Sequence, residues 1–165
     1  MAPLQIPEEF YRVVQYPAPL AGMRLPHKDF PWNHLHALGY QWVVCLCSDH
    51  PVYDPTPLSR LVAVELCDML EVDLPEDPEM EEKGIQIIAE KILEKLESGE
   101  GVLVHCAGGR GRTGTVIGSV LKKLGYETAE IISQLDLLNK KRGKAGWPES
   151  SWQSEVVARA EASPL

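Results

Sequence analysis

The stretch GVLVHCAGGRGRTGT, residues 101–115, constrains this chain more than any other part of it. A short apolar run ends in a histidine and a cysteine. A glycine-rich loop follows, and apolar residues then return at helical spacing. A buried strand that runs through a glycine turn into a helix is the frame of an anion cradle. The first turn of a helix has unpaired N–H groups and carries the positive end of the dipole. Two different machines use that frame: one cradles a dinucleotide, and the other attacks a phosphate with a thiolate.

The first alternative fails on context. Gly109, Gly111 and Gly114 match G-x-G-x-x-G by letter, but a Rossmann unit needs a second strand ending in an acidic residue after the helix. Here a second helical pattern follows, and the loop lies two-thirds along the chain. Walker A fails as well, because threonine rather than lysine follows Gly114.

Counting from the cysteine gives H-C-x-x-G-x-G-R-T-G, with Cys106 and Arg112 spaced as Cys-x5-Arg. Each letter has a task in a phosphate trap. The backbone of Ala107, Gly108, Gly109, Arg110 and Gly111 can curl with its N–H groups inward as a nest. Arg112 supplies a planar fork matched to two phosphate oxygens. A free thiol has a pKa of ~8.5, and helix N-termini and neighbouring cations bring cysteines down to ~3.5–7.5. This spacing therefore predicts a thiolate on the floor of a dianion cradle, rather than a buried core thiol.

The rest of the chain supplies the frame. Residues 40–47, YQWVVCLC, read as a buried strand, and GVLVH as another. Residues 58–68 fit either a short helix or an extended run. In MLEVDLPEDP, Leu70, Val72 and Leu74 alternate onto one face, which predicts a strand that stops at Pro75. Ile85, Ile88, Ala89, Ile92 and Leu96 make one helical stripe between Met80 and Glu97, and Ser98-Gly99 ends it. Further helices are expected over 113–124, from a cap at Thr128, and over 149–160. Proline-rich residues 1–30 read as short extended pieces and turns packed on the core. Strands alternating with helices predict a single α/β domain over 1–165. Its central, mostly parallel sheet of four to five strands should carry helices on both faces.

Composition excludes some partners. The formal net charge is -8, so long-range repulsion opposes nucleic acid and anionic lipid, and any attraction for an anionic substrate must be local. No apolar run approaches the ~20 residues that span a bilayer. MAPLQIPEEF lacks a signal-peptide pattern and EASPL a prenylation motif, so a cytoplasmic address without membrane insertion is expected. The oligomeric state is not legible. Four cysteines read as free thiols. Cys45, Cys47 and Cys67 have no histidine at ligand spacing, so buried structural thiols are expected and no metal or cofactor. Oxidation of one of them to a disulfide with Cys106 is a further possibility.

VHCAGGRGRTGT resembles the signature loop of the cysteine-dependent protein tyrosine phosphatase superfamily. More narrowly, the chain resembles the small atypical dual-specificity phosphatases. Weaker likeness covers LAGMRLP, LHALGYQWVVCLC, LPEDP, the helix before the signature and KKRGKAGWPESSWQ. A recognition loop of the larger, tyrosine-specific enzymes is not evident. The resemblance implies a protein tyrosine phosphatase-like fold and a phosphomonoester hydrolase acting through a phosphocysteine. Its substrates would be phosphotyrosine or phosphoserine/threonine proteins, with phosphoinositides or other small polyanions as the alternative. A non-catalytic phosphate-binding module comes last.

By the same resemblance, Cys106 is the nucleophile and Arg112 binds phosphate. Thr113 assists the leaving sulfur, or caps the helix, or does both. His105 orients the loop or is a plain buried histidine. A carboxylic acid is expected roughly thirty residues upstream, where Asp73, Glu76 and Asp77 lie. Position in a loop beyond Pro75 favours Asp77, with Asp73 the alternative. Gln153 aligns with a glutamine that positions water in some relatives, although an exposed helix position is the plainer reading. Arg110, with Lys140, Lys141, Arg142 and Lys144, either rims the mouth as a local basic patch or belongs to a solvated helix end.

Overall fold

The computed structural model describes residues 9–47 and 53–161. Two short strands, β1 (Tyr11–Val14) and β2 (Leu20–Met23), come from the proline-rich segment. Helix α1 (Trp32–Ala37) precedes β3 (Tyr40–Cys45) and β4 (Ser59–Ala63). The long helix α2 (Pro78–Glu97) leads to β5 (Gly101–His105), and α3 (Gly111–Lys123), α4 (Thr128–Lys141) and α5 (Ser151–Arg159) complete the chain. One five-stranded sheet results, in the order β1-β2-β5-β3-β4, with β1–β2 antiparallel and the other pairs parallel.

Strand β5 is central and wholly buried, so its side chains alternate between two apolar clusters. Val102 and Val104 join a larger cluster with residues of α2–α5, including Ile92, Ile117, Ile131 and Val157. Leu103 joins a smaller cluster on the opposite face with Trp32 and Leu35 of α1, Tyr40 and Val43. Helices cover both faces, four on one and a short one on the other. Such a sheet gathers the C-terminal ends of β2, β5 and β3 at one edge, where open α/β sheets place their sites. No helix among the described residues is long and apolar enough to cross a membrane.

Three local expectations change. The ambiguous 58–68 segment forms a strand over part of its length, as β4 (Ser59–Ala63), and is irregular beyond it. The strand expected over MLEVDLP is absent: Leu70, Val72 and Leu74 are 64%, 44% and 57% exposed, while Leu66 and Met69 are the buried residues there. The backbone donors of this stretch are taken locally. Cys67 N–H donates to Glu81 Oε2 (2.9 Å), and Leu70 N–H donates to Asp68 Oδ1 (3.0 Å) in an Asx-type turn. Thr128 is the first residue of α4 rather than its cap; Glu127 holds the cap position without a side-chain bond.

Candidate active site

Cys106 follows the last residue of β5, and α3 begins at Gly111, so the loop between them spans one sheet edge to one helix N-terminus. Gly109 N–H (3.2 Å) and Thr113 Oγ1 (3.1 Å) both donate to Cys106 Sγ. The cysteine is buried, and two converging donors suit a sulfur that carries negative charge. Thr113 lies inside α3 rather than at its cap, so its hydroxyl serves the sulfur.

The loop's shape is enforced from outside. Leu25 N–H donates to the Ala107 carbonyl (3.0 Å), Arg142 Nη2 to that of Gly108 (2.9 Å), and both Tyr11 Oη (2.7 Å) and Arg142 Nη1 (3.1 Å) to that of Gly109. Carbonyls drawn outward leave the amides turned toward the concave side, as an anion nest requires. Burial raises the Tyr11 pKa, with Arg142 pulling the other way and Cys106 adding to the rise, so its phenol stays protonated and remains a donor. Gly109 is sterically required: its φ is +73°, and a Cβ there would collide with the Met23 backbone, whereas one on Gly111 would meet the Glu149 carboxylate, a side-chain end that can move.

The resulting cavity, about 260 Å³, is lined by Cys106, Ala107, Gly108, Arg110, Gly111 and Arg112, with Asp68, Leu70, Lys144 and Glu149 around them. Arg112 Nη2 lies 3.8 Å from Asp68 Oδ2, and its Nη1 donates to the Leu66 carbonyl at 3.4 Å. Arg110 is at the mouth but tied down. Its Nε donates to the Gly146 carbonyl (2.7 Å), and its Nη1 lies 3.4 Å from Glu149 Oε2.

A family model described as "PTP-SAK: Swiss Army Knife protein, DSP-PTPase phosphatase domain" matches residues 8–152. The chain belongs to this family. It is a cysteine-dependent phosphatase of the dual-specificity kind. Solved structures share its fold. A mouse putative dual specificity phosphatase complexed with zinc tungstate superimposes with a TM-score of 0.71 at 16% identity, covering 96% of this chain and 92% of that one. P. aeruginosa TpbA in complex with pTyr gives 0.59 at 18% identity over 86% and 79%. PTPMT1 in complex with PI(5)P gives 0.63 at 17% identity over 92% and 99%.

Within this phosphatase, the expected acids are not at the cavity. Asp77 is the N-cap of α2: its carboxylate accepts from Met80 N–H (3.2 Å), and it lines a separate cavity with Leu66, Cys67 and Pro75. Asp73 is exposed, and its carbonyl accepts from Ser150 Oγ (2.8 Å). Asp68 lines the Cys106 cavity instead. Its sequence signal is weak: Asp68 lies in the segment between β4 and Pro75, where nothing local sets it apart from Asp73 and Asp77. Gln153 is buried rather than exposed. Its Oε1 accepts from Glu149 N–H (2.8 Å) and its Nε2 faces Glu149 Oε1 (3.4 Å), so it holds Glu149, the second carboxylate of the cavity.

His105 is fully buried. Its Nδ1 lies 3.2 Å from the Cys106 carbonyl, and its Nε2 meets the Tyr53 hydroxyl. Burial lowers its pKa to about 4, so the ring is neutral and Nδ1–H is the donor to that carbonyl. The supposed basic patch is largely spent: Lys140 pairs with Asp136 (2.8 Å), Lys144 with Glu9 (3.6 Å), and the Arg142 side chain is 4% exposed between Glu9 and the loop.

Proposed function

We propose that this enzyme hydrolyses phosphate monoesters of protein tyrosine, serine or threonine in two steps through a phosphocysteine. The observation that carries the reading is the Cys106 sulfur, met by Gly109 N–H and Thr113 Oγ1 on the floor of a cavity that also holds Arg112. In the first step the sulfur attacks phosphorus, the bond to the leaving oxygen breaks, and Asp68 gives that oxygen its proton. Arg112 and the loop amides hold the equatorial oxygens as charge builds on them. In the second step Asp68 takes a proton from water as it attacks phosphorus. The S–P bond then breaks, its electron pair returns to sulfur, and the Thr113 hydroxyl donates a hydrogen bond to the charge that forms there. Glu149, facing the same cavity, helps to orient that water.

A phosphoprotein is favoured over a polyanionic metabolite because Arg110 and Arg142 already carry carboxylate partners, which leaves little cationic surplus at the mouth. A cytosolic, reducing compartment suits four cysteines with no disulfide among them. The mechanism is tested by covalent trapping. Wild-type enzyme quenched during turnover of a 32P-labelled phosphopeptide should carry label on Cys106, and Cys106→Ser should lose turnover while still binding vanadate. Normal turnover by Cys106→Ser would remove the reading. Comparing kcat/KM across phosphopeptides, phosphoinositides and nucleotides tests the substrate class.

A further inference from the structure

Behind the phosphate loop, three soft donors meet. β3 ends at Cys45 and β5 at His105, and the parallel register pairs these two residues. Leu46 N–H donates to the His105 carbonyl (2.9 Å), which carries the ladder one step past β3. Residues two apart in an extended segment share a face, so Cys47 joins Cys45. Their sulfurs are 3.9 Å apart. The thiols and an imidazole nitrogen of His105 all lie within 4.8 Å of one another, and all three residues are buried.

We propose that Cys45, Cys47 and His105 bind a thiophilic d10 cation of the zinc class at a site separate from the catalytic cavity. Zn–S bonds of about 2.3 Å and Zn–N bonds of about 2.0 Å at tetrahedral angles put ligand atoms about 3.4–3.8 Å apart. The sulfur pair is at 3.9 Å already, and the imidazole nitrogen, within 4.8 Å of both sulfurs, has at most about 1.4 Å to close. Two thiolates and an imidazole select zinc or copper(I) over magnesium or calcium.

The outer contacts also suit a metal-binding histidine. Donation from His105 Nδ1 to the Cys106 carbonyl fixes the ring and leaves Nε2 with the free lone pair. The Tyr53 hydroxyl, which now faces Nε2, is the group that has to yield. On binding, two S–H bonds break and their protons leave to solvent, two S–metal bonds and one N–metal bond form, and the thiolates cancel the charge of a divalent ion. Because His105 holds the Cys106 carbonyl, occupancy also shifts the catalytic loop and slows the phosphatase. That last consequence alone rests on the function proposed above.

The test therefore reads metal rather than activity. The full chain carrying Cys106→Ser, reduced and kept anaerobic, is titrated with Co2+. One equivalent should produce thiolate-to-cobalt charge transfer and tetrahedral d–d bands, and Zn2+ should bleach them. Adding Cys47→Ser should weaken binding by more than the ~10–100-fold that loss of a ligand's outer hydrogen-bond partner costs, whereas adding Cys67→Ser should leave it unchanged. A measurement that needs no change at the site guards against misfolding: one equivalent of Zn2+ added to the Cys106→Ser chain in weak buffer should release two thiol protons, and a chelator should take the metal back. The proposal is overturned by absent cobalt bands, by bands that survive loss of both Cys45 and Cys47 or that vanish with Cys67, or by zinc addition that releases no protons. Phosphocysteine trapping on wild-type enzyme stands or falls independently of these outcomes.

Discussion

Asp68 and Asp77 are both exposed carboxylates between β4 and the start of α2, yet only Asp68 reaches the cavity of Cys106. The two roles separate cleanly on substitution. Asp68→Asn should lower kcat on substrates with poor leaving groups by about 10²–10³ and flatten the limb of the pH–rate profile that reports the acid. Asp77→Ala should leave kcat unchanged and cost about 1 kcal/mol of stability through loss of the α2 cap, read from denaturant midpoints. If the two variants exchanged these effects, the acid would have to be reassigned. Thr113 gives a second residue-scale expectation. Thr113→Ala removes a hydrogen bond to the sulfur on which charge develops as the S–P bond breaks, worth about 1.5–3 kcal/mol, so breakdown of the phosphocysteine should slow by about 10–100-fold. Pre-steady-state kinetics should then show a burst of the leaving group, and the absence of a burst would assign the hydroxyl to packing.

At the scale of elements, the phosphate loop owes its shape to parts of the chain far from it. Tyr11 on β1 and Arg142 just past α4 hold the Gly109 carbonyl from outside, with the Arg142 guanidinium 4.7 Å from the Tyr11 ring centroid. Arg142→Met should strand the Gly108 carbonyl and leave that of Gly109 to Tyr11 alone, at about 1–3 kcal/mol, lowering the unfolding midpoint and weakening vanadate binding roughly tenfold, since 1.4 kcal/mol is a factor of ten. Tyr11→Phe should cost less, because Arg142 still reaches Gly109. Loss of stability with unchanged vanadate affinity would limit the brace to folding. The missing strand over residues 70–74 belongs to this scale too. Alternation is a strand signal only where a neighbour accepts the ladder, and here the chain turns at its start: Asp68 takes the Leu70 N–H, as Glu81 takes that of Cys67 just before.

For the molecule as a whole, a formal charge of -8 surrounds a site built for dianions. Long-range repulsion and local attraction then differ in range, and salt screens mainly the first. The kcat/KM of acidic phosphopeptides should therefore rise with moderate salt, while that of peptides with basic flanks should fall. Stopped assays over an ionic-strength series check both signs, and a common fall would mean that the mouth attracts anions after all.

The amino-acid sequence by itself determined the phosphate loop, because Cys106, the glycines, Arg112 and Thr113 are contiguous and a strand–loop–helix needs no distant information. It also determined the α/β layering, through buried runs that alternate with helical stripes. Tertiary structure alone decided what depends on chain-distant pairing. The sheet order brought Tyr11 to Gly109, the path after β4 brought Asp68 rather than Asp77 to the lining of the Cys106 cavity, and the β3–β5 register set Cys45 beside His105. Periodicity states which face a residue takes within its own element; which neighbour it meets is settled only when the elements pack.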